Sequence, residues 1–127
     1  MKYKGIEIQI IFEKEESTKH LEADFNVVLE KGLDNIIKEN LIPMLIETDC
    51  TDKELKKILK GIKLFDIYYC YSKIIAEYSP TKEEEYFGQI KFCFESCNKY
   101  TKNLFEAVEI EIYILDGQIV KIIGYDI

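Results

Sequence analysis

Catalytic and metal sites need histidine, cysteine and carboxylate groups that converge, and this 127-residue sequence has few in a suggestive spacing. Its only histidine, His20, lies at the polar start of a predicted helix, where a surface position is expected. Cys93 and Cys97 are separated by three residues, but Cys50 and Cys70 do not form the matching second pair that zinc needs. Neither a glycine-rich phosphate loop nor a nucleophile elbow is present. We therefore predict no catalytic residues, no metal and no cofactor.

The four cysteines are instead expected to be reduced, structural thiols. Glu7 and Gln9 interrupt the apolar start of the chain, and no small-residue cleavage site of a secretion signal follows. No apolar run approaches the length of a membrane span. The sequence thus predicts a cytoplasmic protein with a single domain over residues 1–127, in a compartment where disulfides are rare.

The charge balance restricts the class of partner. Seventeen basic and 24 acidic residues give a net charge of −7, and every basic residue is a lysine. Nucleic acids and anionic membranes are disfavoured, because phosphate neutralisation supplies most of such affinity and no arginine is present to bind phosphate through two hydrogen bonds. An acidic surface speeds the encounter with a cationic molecule. We expect a protein partner with a basic surface, and the sequence fits either a monomer or a homodimer.

The element best suited to present a binding surface is the C-terminal run FEAVEIEIYILDGQIVKIIGYDI, a predicted β-hairpin that turns at Asp116-Gly117. A two-residue turn would set Ile112 opposite Lys121. A three-residue loop sets Glu111 opposite Lys121 and is preferred, because it pairs opposite charges. This register predicts that one face of the hairpin belongs to the core, namely Val108, Ile110, Ile112, Val120 and Ile122.

The opposite face of the hairpin is the predicted binding surface. It combines carboxylates with tyrosine and isoleucine side chains, and it is too apolar for an ordinary solvated face. Tyrosine is enriched at protein interfaces. The alternative is that another element or a second copy covers this face. The candidate partner-binding residues on it are Glu109, Glu111, Tyr113, Ile119, Ile123 and Tyr125.

Two further groups of residues are candidates for recognition. The run Glu83-Glu84-Glu85 follows Ser79-Pro80-Thr81 in a predicted loop, where such a charge run is usually solvated. It also suits an acidic docking loop, so Glu84 and Glu85 join the candidate partner-binding residues. A series of tyrosines fits either a recognition surface or the margin of the core, and comprises Tyr68, Tyr69, Tyr71, Tyr78 and Tyr86.

The hydrophobic periodicity predicts the elements before the hairpin. Residues 4–13 alternate as a half-buried strand. Residues 18–41 carry one helical stripe that buries Phe25, Leu29, Leu33 and Ile36, with Gly32 on the same stripe. Pro43 ends or kinks this helix.

A capping box at Thr51-Asp52-Lys53-Glu54 begins a short helix, and Gly61 is expected to end it in a left-handed conformation. Strands follow at residues 62–71, 73–78 and 88–94, with a turn at Ser72 and a loop over 95–103. Consecutive strands joined by short turns are antiparallel, and helices segregated early in the chain cover one face of the sheet. The predicted fold class is α+β: an antiparallel sheet of five to six strands with a long and a short helix packed on one face.

The order of features from Glu54 onward resembles a group of small, acidic, uncharacterised bacterial proteins. The matching segments are ELKKILKGIKLFDIYY, EEEYFGQIKF and the terminal hairpin, which together cover about half of the chain. Those proteins often have histidine after the glycine, where this chain has Gln89. Relatives of such architecture resemble the immunity partners of bacterial toxins, so the resemblance implies an interaction role and no catalysis.

These observations predict a non-catalytic interaction module, with an immunity protein that neutralises a basic bacterial toxin domain as its most specific form. The alternative is a small enzyme or ligand-binding domain with a pocket between sheet and helices, in which tyrosine hydroxyls and carboxylates bind the ligand.

Overall fold

The computed structural model describes residues 1–11, 14–46, 51–75 and 84–126, with the backbone alone at 14–17, 74–75 and 84–85. Six strands and five helices lie in these ranges. In chain order they are β1 (Lys2–Tyr3), β2 (Ile6–Ile10), α1 (Lys14–Lys31), α2 (Leu33–Asn40), α3 (Ile42–Leu45), α4 (Asp52–Lys60), β3 (Ile62–Ile75), β4 (Glu84–Ser96), α5 (Lys99–Lys102), β5 (Ala107–Leu115) and β6 (Gln118–Asp126).

The strands form one open sheet in the order β1-β2-β3-β4-β5-β6. Neighbouring strands are antiparallel except β2 and β3, which run parallel because the helical crossover α1–α4 separates them in the chain. The predicted α+β class is confirmed, with six strands in a mostly antiparallel sheet. The parallel pair is the feature that the prediction omitted.

The helices bury one face of the sheet. Phe25, Val28 and Ile36 pack in one core cluster with Phe92 and Ile110 of the central strands. Strand β5 shows the consequence, since its side chains alternate between buried and half-buried over its whole length. The core therefore lies between the helices and the face of the sheet that carries Ile67, Ile90 and Ile112.

The single helix predicted over residues 18–41 is wrong, because the chain breaks at Gly32 into α1 and α2. Gly32 has φ 90°, a conformation that a residue with a side chain rarely adopts. Phe25, Leu33 and Ile36 are buried as predicted, but Leu29 is 39% exposed. After the break Leu33 and Ile36 continue the buried stripe on a new helix axis, so Leu29 is left at its margin.

The capping box that begins α4 is confirmed. The Thr51 hydroxyl accepts a hydrogen bond from the backbone N–H of Glu54, and the Glu54 carboxylate accepts one from that of Thr51. The predicted left-handed stop at Gly61 is wrong, since its φ is −96°. A different constraint favours glycine there: an added Cβ would lie 2.3 Å from Cγ2 of Thr101, whose hydroxyl donates to the Gly61 carbonyl.

Three predicted boundaries also change. Ser72 is not a turn, because β3 continues to Ile75 and the Ser72 hydroxyl accepts a hydrogen bond from the Gln89 side chain within the sheet. The predicted strand over 4–13 begins too early, because Lys4-Gly5 form the turn between β1 and β2, and residues 12–13 lie outside the described ranges. The predicted loop over 95–103 contains the end of β4 and the short helix α5, which Asn98 caps.

The C-terminal hairpin has a two-residue turn. Asp116 and Gly117 both have positive φ, as a type I′ turn requires, and Leu115 lies opposite Gln118. A β-bulge then makes Val120 the extra residue, so that Lys121 lies opposite Tyr113. The preferred three-residue register is therefore wrong.

The bulge preserves most of the predicted facial assignment. Val108, Ile110 and Ile112 are buried in the core, and Ile122 packs against it. Ile119 was assigned to the opposite face, but it lies opposite Ile114 and also packs against the core. The physical reason is the position of Ile119 between the turn and the bulge, where the strands pair as a two-residue turn requires. Beyond the bulge, the extra residue Val120 shifts the pairing by one residue.

Replacing Ile36 with alanine tests the packing of α2. Ile36 is fully buried, so Ile36→Ala should lower the free energy of unfolding by about 2–5 kcal/mol through lost contacts and a residual cavity. Leu29→Ala is the matched control and should cost far less, because Leu29 is partly exposed. Urea denaturation of the two variants beside the parent gives the comparison, and equal losses at both positions would contradict the assigned packing.

Candidate functional site

The candidate site lies on the side of the sheet that faces away from α1–α4, which we call the outer face. No side chain of this face belongs to the core cluster that the helices bury within the described ranges. Its described side chains include Gln9, Asp66, Tyr68, Cys70, Ser72, Phe87, Gln89, Lys91, Cys93, Glu95, Glu109, Glu111, Tyr113, Lys121, Ile123 and Tyr125.

Cross-strand pairing arranges these side chains in rows. Tyr68 lies opposite Lys91, Lys91 opposite Glu111, and Glu111 opposite Ile123. The neighbouring row contains Cys93, Glu109 and Tyr125. Directly opposite side chains in an antiparallel pair are close enough to interact. Residues from four strands thus form a continuous surface, although they lie far apart in the sequence.

The polar groups of the outer face bind one another. The Lys91 ammonium lies 3.6 Å from a carboxylate oxygen of Glu109, and the Cys93 thiol donates to the other oxygen at 3.7 Å. The Tyr113 hydroxyl donates to Glu111 at 2.5 Å. Predicted site residues therefore participate in a network of ordered contacts.

The structure brings together five of the eight predicted site residues: Glu109, Glu111, Tyr113, Ile123 and Tyr125 lie on the outer face. Ile119 lies on the core side of the sheet, as described above. The backbone of Glu84 and Glu85 belongs to the first part of β4, so the prediction of a loop there is wrong for these two residues. Their side chains, and residue 83 of the acidic run, lie outside the described structure.

A groove of about 460 Å³ crosses the outer face, which we call the outer groove. Side chains that sequence reasoning missed form part of its wall, including Ile11, Gln89 and Lys91, beside Glu109 and Glu111. Tyr68, from the tyrosine series noted in the sequence, also lines it. The alternation of Gln89, Lys91 and Cys93 was the available signal. This alternation could not assign the three residues to the candidate site, because the sequence does not show that β4 pairs with β3 and β5.

Cys93, on the outer face beside Glu109, is a buried thiol. Its side chain is 3% exposed, and burial together with the nearby Glu109 carboxylate raises the pKa of the thiol to about 12. A protonated thiol is a poor nucleophile and a poor metal ligand. Cys97 is also a free thiol, and Cys50 lies outside the described residues.

A second groove, of about 400 Å³, lies at the margin between helices and sheet, and we call it the side groove. Its lining comes from the β1–β2 turn, α2, α4 and the adjoining ends of β3 and β4. Apolar side chains dominate, and the charged residues in its lining are Lys4, Asp34 and Lys63.

Asp24 is a buried carboxyl group that the sequence did not reveal. It is 8% exposed, and the Tyr69 hydroxyl donates to it at 2.5 Å. Gly88 leaves the necessary space, since an added Cβ would lie 1.9 Å from a carboxyl oxygen of Asp24. His20, one turn earlier in α1, stacks on Tyr71 with ring centroids 3.9 Å apart. Asp24 is not among the described lining residues of either groove, and its contact with Tyr69 joins α1 to the sheet.

Two further findings concern metals and membranes. Over the described ranges, no group of three His, Cys, Asp or Glu side chains is arranged to hold a metal ion. None of the helices in the same ranges has the length and apolar composition needed to cross a membrane.

The buried Asp24 makes stability depend on pH. Burial raises the pKa of Asp24, against the smaller opposing effects of the Tyr69 hydrogen bond and His20. The folded state thus holds this proton more tightly than the unfolded state. The contribution of Asp24 to the free energy of unfolding is fully present below about pH 3.9, the ordinary pKa of Asp. It is lost as the pH rises through the pKa of Asp24 in the folded state.

Asp24→Asn should remove that loss, because an amide is uncharged and its oxygen still accepts from Tyr69. The unfolding free energy of the variant, relative to the parent, should rise between pH 3.5 and pH 7, as measured by urea denaturation. Glu22→Gln, on the exposed side of α1, is the control and should show no such trend. A relative stability of Asp24→Asn that falls with pH would contradict the assignment.

Comparison of the chain with protein-family models, with curated proteins and with solved structures gives no match in any of the three. The functional argument therefore depends on the geometry and charge of the two grooves.

Proposed function

We propose that this protein is a non-catalytic interaction module that binds a protein with a basic surface through its outer face. The observation that supports this proposal most is the ordered array of tyrosines and carboxylates on a sheet face that no described helix covers. Tyr113 and Ile123 are half-buried there, and Tyr125 is 40% exposed. Aromatic side chains that are presented in a fixed position lose little entropy on binding and supply much interface energy.

The charges on this face favour a cationic partner. Asp66, Glu109 and Glu111 supply three carboxylates on the outer face, and the last two line the outer groove. Lys91 binds Glu109 in the free protein, but both side chains are partly exposed. Such a pair contributes at most about 1 kcal/mol, so a basic side chain of a partner replaces Lys91 at little cost. The net charge of −7 adds a long-range attraction for the same class of partner.

The most specific form of the proposal is an immunity protein that acts in the cytoplasm and neutralises a basic domain of a bacterial toxin. It is supported by the resemblance of the segments after Glu54 and by the acidity of the chain. A non-catalytic inhibitor also needs no convergent catalytic groups. The protein binds its partner either as a monomer or as a homodimer.

A small-ligand-binding domain is the second candidate, and the side groove is the observation that favours it. The sequence hypothesis placed such a pocket between sheet and helices, where this groove lies. The groove lacks tyrosine hydroxyls and converging carboxylates in its described lining, which favours binding over catalysis.

The outer face can be tested by comparing two baits for affinity capture. The parent protein and the double variant Tyr113→Ala/Glu111→Lys are immobilised in parallel, and only proteins that the parent alone retains are followed. Binding kinetics are then measured with the purified partner. Tyr113→Ala should weaken binding by about 2 kcal/mol, roughly 30-fold, mainly through faster dissociation. Tyr100→Ala is the control, because Tyr100 is an exposed tyrosine on α5.

Charge variants of the same face distinguish long-range attraction, which affects the association rate, from the contacts that slow dissociation of the bound partner. Glu109→Lys with Glu111→Lys should slow association and flatten its dependence on salt. Lys91→Met should have the opposite effect on association, because it removes the internal competitor for Glu109. A partner that binds every variant like the parent would place the site elsewhere, and a partner that Lys91→Met weakens would show that the recognised surface is not cationic.

A further inference from the structure

We propose that strand β6 pairs with β6 of a second copy of this chain, so that two open sheets join edge to edge across a two-fold axis. The proposal does not rest on the proposed function, because it uses the edge of the sheet and not its outer face. It depends on three observations: the open backbone of β6, the charge along the strand, and the pairing that a two-fold axis imposes.

The two edges of the sheet differ in length and in side chains. At one edge, β1 has two residues, carries Lys2 and ends in the turn at Lys4-Gly5. Short edge strands with lysines are a common protection against pairing with another chain. At the other edge, β6 has nine residues, no proline and a single lysine. Within the described ranges its backbone forms ladder hydrogen bonds with β5 alone, so β6 presents donors and acceptors that another strand can satisfy.

Apolar side chains flank this edge on both sides of the sheet. On the outer face, Ile123 is half-buried and Tyr125 is 40% exposed. On the helix side, Met44 is 45% exposed, and its sulfur lies so close to β6 that a Cβ added to Gly124 would be 2.9 Å from it. A strand that pairs with β6 therefore covers apolar surface on both sides, in addition to satisfying backbone groups.

The charge along β6 favours a second copy over the basic partner proposed for the outer face. Lys121 and Asp126 are the charged side chains of the strand, and their charges cancel. A basic protein gains no electrostatic attraction from such an edge. Two chains that each carry a net charge of −7 repel each other less along a neutral strand than across an acidic surface. A two-fold contact also requires only one kind of surface, and it is the commonest form of assembly.

The geometry of an antiparallel pair restricts the position of the two-fold axis. The axis stands perpendicular to the sheet, so the residues that it pairs lie on the same face. The bulge at Val120 leaves residues 121–126 as the regular part of β6. An axis at Ile122 would bring the bulge into the new ladder, and an axis at Gly124 would set an isoleucine opposite an aspartate. The axis at Ile123 avoids both.

With the axis at Ile123, the residues that face each other across the new pair are complementary. The two Ile123 side chains meet on the outer face. Lys121 lies opposite Tyr125 of the second copy, where its ammonium can contact the face of the ring. On the helix side, Ile122 lies opposite Gly124 of the second copy, next to the exposed methionine. The axis repeats each of the last two contacts.

A perpendicular axis also keeps the outer faces of the two copies on the same side of the joined sheet. Glu109, Glu111 and Tyr113 lie on β5, one strand away from the new contact, and remain accessible in both copies. The dimer therefore presents two outer faces side by side on a sheet of twice the width.

Sedimentation equilibrium of the parent from about 1 μM to about 1 mM, the range of modest dissociation constants, tests the assembly. The mass should rise to that of two chains and no further, because a two-fold contact closes the assembly. A parent that stays monomeric over the whole range, or that assembles beyond a dimer, would overturn the proposal.

Hydrogen exchange locates the contact. Alternate amides of β6 should exchange at least about tenfold more slowly in the concentrated dimer than in dilute protein, since a new strand takes their hydrogen bonds. A dimer in which the exchange of β6 amides is unchanged would place the contact elsewhere and equally overturn the proposal.

Charges placed on the axis test the register. Ile123→Lys and Ile123→Glu each set like charges opposite each other in a homodimer, so each should raise the dissociation constant about tenfold or more. An equimolar mixture of the two variants should form a mixed dimer, because a lysine then faces a glutamate. Gln118→Lys and Gln118→Glu are the matched controls and should dimerise like the parent, because Gln118 is an exposed residue of the same strand outside the paired stretch.

Three results with these variants would contradict the proposed pairing: dimers of both Ile123 variants as stable as the parent, a mixture that forms no mixed dimer, or an Ile123→Glu dimer tighter than the parent, which would move the axis to Ile122 and set the new carboxylate opposite Lys121. Tyr113→Ala separates this proposal from the proposed function. That variant should dimerise like the parent even where it loses the partner of the outer face.

Discussion

The strict alternation of side chains along the central strands is the constraint on which the rest of this structure depends. Neighbouring residues of a strand point to opposite faces, and helices α1–α4 pack on one of those faces. Strand β5 is therefore divided between Val108, Ile110 and Ile112, which are fully buried, and Glu109 and Glu111, which are not. A one-residue shift in the pairing of these strands would move the core residues and the candidate-site residues to opposite faces together.

This coupling explains how much of the outer face was predictable. Alternation alone assigned Glu109, Glu111 and Tyr113 to one side of the hairpin, and that assignment is confirmed. It could not locate the bulge at Val120, because the turn and the bulge together give a register that pairs no opposite charges. The error that followed was local, and it misplaced Ile119. The contributions of β3 and β4 to the face could not be predicted, because cross-strand partners far apart in the sequence leave no local signal.

The contact between Asp24 and Tyr69 shows the same limit inside the core. Helical periodicity placed Phe25 and Leu33 correctly, but a carboxylate on the buried side of α1 has no sequence signature. Its partner lies 45 residues away, and the space for it depends on Gly88 of the next strand. The break at Gly32 was missed for a related reason. Glycine on a helical stripe is compatible with close packing and with a positive φ, and only the tertiary structure distinguishes the two.

The bulge in β3 explains how one strand contributes to two grooves of different chemistry. Before the bulge, Ile62 and Leu64 pack against the core and line the side groove. After it, Ile67 and Tyr69 belong to the core cluster, while Tyr68 lines the outer groove. An unbroken alternation would expose one of these two apolar pairs on the outer face. The extra residue at the bulge is Phe65, whose side chain is left 38% exposed to solvent. The two grooves thus lie on opposite faces of a shared strand.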